Sequence, residues 1–179
     1  MPIEPDTKNW TWVLTRACPD CGFDASTFRA RDVADALREN VASWRPLLQA
    51  REVRTRPAES QWSALEYGCH VRDVFRIFDV RLSLMLSEDD PLFDNWDQDH
   101  TAVADGYGAQ DPLVVIAELE AAGLQLAANF DVVPEDAWQR RGRRSDGSAF
   151  TIDSFARYFL HDPVHHLWDV RRGYELLHA

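Results

Sequence analysis

Apolar residues recur at steps of three and four in four stretches of the chain, the repeat expected of helices with one buried face. Val33, Leu37, Val41, Trp44 and Leu48 mark a first helix between about Arg29 and Ala50, with charged residues on its other side. A second stripe, Tyr67, Val71, Val74, Phe78, Leu82 and Met85, predicts a helix over Ser63–Leu86, and Ser63 followed by Glu66 reads as a capping box. The third helix is expected from Asp111, a capping residue followed by Pro112 at the first helical position, to about Asn129. The fourth covers Ile152–Arg172, with Thr151 or Asp153 as its cap. Pro163 interrupts the fourth pattern, and because apolar positions continue on both sides it predicts a kink rather than a break.

The connections are unequal. Arg51–Gln61 is polar, and an Asp146-Gly147 pair between residues 140 and 150 predicts a tight hairpin. The connection from Glu88 to Gln110 is long and acidic, with a short helix expected over Asn95–Ala104, and suits a crossover or a lid. The fold class expected is therefore all-α: a four-helix bundle, residues 29–179, preceded by an irregular lead-in, residues 1–28.

Charge and length narrow the function. The net charge is −11, which opposes nucleic-acid binding, and the one basic cluster, Arg140–Arg144, lacks interleaved aromatics. Read residue by residue, the chain has no apolar run of the 18 or so needed to span a bilayer. The opening Met1–Asp6 is acidic and Pro-rich rather than a secretory signal, so a cytoplasmic location is expected. The acidic connection lacks the spaced loop of a calcium site.

Candidate chemistry lies in the histidines. His161 and His165, four apart, share one helix face and suit a divalent cation. His70, midway along the second helix, is the candidate third ligand. His166 lies about 100° around the helix and is read as packing, solvent-facing or supporting the site. Asp169 is a candidate acceptor for the free N–H of His165, Glu66 a cap, a further ligand or a support for His70, and Arg72 and Asp73 ordinary exposed charges. Arg143, Arg144, Arg171 and Arg172 are candidates for binding substrate carboxylates, or simply solvated. Cys18-Pro19-Asp20-Cys21-Gly22 has the spacing of half a zinc knuckle, with His100 or His178 available to complete it; a reduced structural turn and a redox pair or disulfide stay open.

The stretches Trp62–His70 and His161-Asp162-Pro163-Val164-His165 resemble the DinB superfamily, over about Arg29 to Arg172. That resemblance implies an up-down-down-up bundle with a long crossover between helices 2 and 3, and His70, His161 and His165 as metal ligands in the three-histidine branch. It further implies a zinc- or nickel-dependent enzyme that activates a low-molecular-weight thiol such as mycothiol, as thiol S-transferases and maleylpyruvate isomerases do. A metal-dependent hydrolase and a non-catalytic, dimerising metal-binding stress protein are the alternatives. The partners expected are a small-molecule substrate and a second copy in a homodimer.

Overall fold

The computed structural model describes residues 10–179; the acidic opening segment Met1–Asp6 lies outside the described residues. Five α-helices follow an irregular lead-in: α1 (Val33–Leu48), α2 (Ala64–Ser87), the short α3 (Gln98–Ala104), α4 (Pro112–Asp131) and α5 (Ile152–Leu177). Each long helix begins close to where local chemistry starts it. Ser63 accepts from the Glu66 amide and the Glu66 carboxylate reaches back to the Ser63 amide, closing the capping box of α2. The Asp111 carboxylate accepts from the Leu113 amide ahead of α4, and Thr151 caps α5 through Ser154. Helix α5 runs unbroken through Pro163.

Pairs of residues along the helices give their directions. Arg38 and Arg45 on α1 meet Asp131 and Glu120 on α4, so these two run antiparallel. Arg72 meets Glu118 and Asp79 meets Asn129, so α2 and α4 are parallel. Asn40 donates to the Pro163 carbonyl and the Tyr174 hydroxyl to that of Leu47, so α1 and α5 are parallel. Phe75 packs on Phe159 and Phe78 on Phe155, so α2 and α5 are antiparallel. The bundle is thus up-down-down-up, with α1 and α2 on a diagonal and meeting only marginally. Two consecutive parallel helices require the chain to return the length of α2, about 36 Å at 1.5 Å per residue. The connection from Glu88 to Asp111 does so, carrying α3 with it.

The core stripes read from sequence are buried: Val33, Leu37, Val41, Trp44 and Leu48 on α1, and Val71, Val74, Phe78, Leu82 and Met85 on α2. Helix α4 lies close against both neighbours at Gly123, where a Cβ would stand 2.3 Å from Val41 and 2.9 Å from Phe75. By length and composition α4 also meets the criterion for a membrane-crossing helix; here its inner face, from Val115 to Phe130, packs between α1 and α2.

A small sheet closes one end. Strand β2 (Arg141–Arg144) and β3 (Ala149–Thr151) form the expected hairpin, with Gly147 at φ 94° in its turn. Strand β1 (Leu92–Phe93), not anticipated from sequence, adds parallel to β2. Because β3 runs directly into α5, the sheet ties the crossover to the start of that helix.

Candidate functional site: two adjoining clusters

Helix α5 presents two pairs of potential ligands, each four residues apart and offset by one residue: His161/His165 and Asp162/His166. One residue is about 100° of rotation, so the pairs face different neighbours. The structure brings His161 and His165 together, with ring centroids 5.1 Å apart, but places His70 elsewhere. His70 joins Asp162 and His166, whereas His161 and His165 join Cys18 and Cys21; within each cluster one ligand-type atom per residue lies within 4.8 Å of the others.

The physical reason is where α2 sits. It packs against α5 on the side of Asp162 and His166, and the His70 and His166 rings meet edge to face at 4.8 Å. The side bearing His161 and His165 is covered by the lead-in. Asp162 and His166 were thus missed as a pair, although the sequence signal, a carboxylate and an imidazole four apart on a helix facing a His-bearing helix, was present.

In the first cluster His70 Nε2 stands 3.5 Å from Asp162 Oδ1, and His166 Nε2 stands 3.7 Å from the same oxygen. The first approach lies outside hydrogen-bond geometry: both His70 nitrogens and Asp162 Oδ1 are buried without a hydrogen-bond partner. Buried polar atoms left this way are costly, and a cation would satisfy Asp162 Oδ1 and one nitrogen of His70 at once. Nitrogen and oxygen ligands about 2.0–2.1 Å from a tetrahedral zinc stand about 3.4 Å apart, close to both distances. The residues therefore fit a divalent metal. Burial acts to raise the Asp162 carboxyl, but His166 and His70 beside it hold it down to about 2, so it is an anion at neutral pH.

Supports for this cluster are local. His166 Nδ1 lies 2.8 Å from Asp169 Oδ2, which sets its proton there and leaves Nε2 facing Asp162. Asp169 thus serves His166 more closely than His165, whose Nε2 is 3.8 Å away. Trp96 stacks on His70 with 9° between the ring planes, Trp62 packs at 5.4 Å, and Tyr67 lies 5.0 Å from His166. Glu66 does not reach the cluster as a ligand; it caps α2 and pairs with Arg56.

The second cluster is fully built from the lead-in and α5. Cys18 Sγ lies 3.6 Å from His165 Nδ1, and His161 Nε2 is buried without a hydrogen-bond partner. Burial first, and His165 second, push the His161 imidazole down to about 4, so it is neutral and able to act as a ligand at neutral pH. Trp10 packs over both histidines at 5.5 Å. The two histidines that sequence offered to complete the Cys-x-x-Cys lie elsewhere: His100 is exposed on α3, and His178 is near Glu52.

A cavity of about 100 Å³ borders members of both clusters, lined by Trp10, Gln98 and Tyr158 together with His161, Asp162, His165 and His166. The Tyr158 hydroxyl accepts from Arg144. Three of the four arginines considered as carboxylate clamps are engaged within the chain, Arg143 with Asp90, Arg144 with Asp146 and Arg172 with Glu175, and Arg171 is exposed. Arg72 and Asp73 are not exposed charges. They form a buried network with Glu118, Gln110 and the Tyr107 hydroxyl, because the crossover folds down over them.

Comparison with known proteins agrees with this architecture. A family model described as the DinB superfamily matches residues 23–170. The chain superposes on YfiT from Bacillus subtilis with a TM-score of 0.76 at 15% identity, covering 96% of this chain and 99% of that one. That protein is described as a probable metal-dependent hydrolase with an unusual four-helix bundle topology. Among curated proteins, none matches this sequence.

Proposed function

Since the chain belongs to the DinB superfamily, we propose that it is a metal-dependent hydrolase of a small ester or amide, with His70, Asp162 and His166 holding a divalent cation. One observation carries this reading: three ligand-type groups from two helices converge, and the buried facing atoms of His70 and Asp162 have no hydrogen-bond partner. A set of two imidazoles and one carboxylate is the type found in hydrolytic zinc sites such as thermolysin. Bound there, the cation supplies Lewis acidity and an acidified water.

The chain's own residues do the rest. Asp162 contributes the one negative charge of the set and leaves the centre cationic. Asp169 is a positioning residue, holding the His166 ring in a fixed tautomer. Trp62 and Trp96 exclude water from the His70 side, which strengthens electrostatic interactions within the site. On the cavity wall, the Tyr158 hydroxyl and the Gln98 amide are groups able to donate to an oxygen that gains charge.

Cavity size favours hydrolysis over thiol transfer. About 100 Å³ admits water and the reacting end of a substrate, while drug-sized ligands occupy about 300–1,000 Å³. Nor does any Arg or Lys line it among the described residues, as a carboxylate-bearing thiol cofactor would favour. The test is a panel of small aryl esters and anilides with zinc-, nickel- or manganese-loaded protein, with and without added thiol. Turnover without thiol that falls at least about 100-fold in His70→Ala and His166→Ala is expected. A strict thiol requirement would move the assignment to the thiol-transferase reading, and turnover unchanged in both variants would remove the site.

A further inference from the structure

We propose that Cys18, Cys21, His161 and His165 form a structural zinc site that fastens the lead-in to α5. Four side chains of the types zinc prefers converge from segments about 140 residues apart, three of them buried. Tetrahedral zinc with Zn–S of about 2.3 Å and Zn–N of about 2.0–2.1 Å separates a sulfur from a nitrogen by about 3.6 Å. Cys18 Sγ and His165 Nδ1 are 3.6 Å apart. A thiol–imidazole hydrogen bond alone accounts for that contact, but not for the rest. His161 is only 4% exposed, and its Nε2 has no hydrogen-bond partner. Both Cys18 and Cys21 are free thiols rather than a disulfide.

The local backbone is shaped for two sulfurs to face one point. The Cys18 carbonyl accepts from the Gly22 amide, the Cys18 amide donates to the Phe23 carbonyl, and Gly22 takes the positive φ of 75° that this turn requires. Zinc binding releases the two thiol protons to solvent, and two thiolates with two neutral imidazoles balance the 2+ charge. A neutral complex suits a buried position. Four protein ligands leave no open coordination position, which separates this site in kind from the His70 cluster.

The consequence is positional. The zinc fixes His161 and His165 while Asp162 and His166, their neighbours on α5, serve the other cluster. It also holds Trp10 as a wall of the cavity that both clusters border. This site does not depend on the hydrolase reading.

The test uses the full-length protein purified under reducing conditions and reconstituted with cobalt alone. A thiolate-to-cobalt charge-transfer band, with intense visible bands of tetrahedral geometry, is expected. The band should persist in His70→Ala and disappear in Cys18→Ser/Cys21→Ser. Zinc content should fall by one ion per chain in Cys18→Ser/Cys21→Ser, whatever the His70 cluster holds. An unaltered protein that shows no charge-transfer band overturns the proposal without recourse to a variant. So does a band that survives replacement of both cysteines. If the double variant does not fold, loss of the band from the unaltered protein on titrating its thiols with a mercurial, with release of one zinc from the zinc-loaded form, supports the site; retention of the band overturns it.

Discussion

Asp169 offers the sharpest probe of the His70 cluster, because it touches a ligand without being one. Its Oδ2 is 2.8 Å from His166 Nδ1, and the two side chains are only 14% and 18% exposed, so water does little to replace the contact. A hydrogen bond to a charged group contributes about 1.5–3 kcal/mol and a neutral one about 0.5–1.5 kcal/mol. Asp169→Asn keeps an acceptor and loses roughly the difference, about 1–1.5 kcal/mol, or about tenfold in metal affinity. Asp169→Ala loses the whole contact and should weaken binding about 10–100-fold, the range measured for supports of ligating histidines. The assay is competition with a chromophoric chelator, taking as the relevant ion the one lost in His70→Ala. The graded order, unaltered then Asn then Ala, is the signature of orientation by a charge. An Ala variant that binds that ion as tightly as the unaltered protein would refute the assignment of Asp169, and with it the tautomer of His166.

Two further outcomes follow from the same geometry. Asn40 donates to the Pro163 carbonyl and accepts from the Trp44 indole, all buried, so Asn40→Ala leaves a buried N–H unpaired and should cost about 1–3 kcal/mol in urea denaturation; a change within about 0.5 kcal/mol would show that the bridge does not hold α5 in place. Burial acts to raise the Glu66 carboxyl, but Arg56 and Ser63 outweigh it and its folded value is lowered. Its stabilising contribution is then complete above the unfolded value of about 4.3 and is lost as pH falls through the lower folded value; the stability gap between the unaltered protein and Glu66→Gln should shrink below about pH 4, and a gap constant down to about pH 3 would contradict the lowered value.

What the sequence determined by itself was local. Periodicity placed the long helices to within a few residues, because a buried face repeats every 3.6 residues whatever it packs against. Ser63–Glu66, Asp111-Pro112 and Thr151 marked helix starts, and Asp146-Gly147 marked the hairpin, because caps and tight turns satisfy their own backbone. The stretches around His70 and His161 were enough for the family. What only the tertiary structure decided was which neighbour each face of α5 meets. Helical spacing groups His161 with His165 and Asp162 with His166, but it is silent on which group turns toward α2. Nor does it show that Cys18 and Cys21 cross back to α5, since contacts between distant segments depend on packing of the whole bundle and leave no periodic trace in either segment. Strand β1, two residues long, went unseen for the same reason: its partner, not its own composition, makes it a strand.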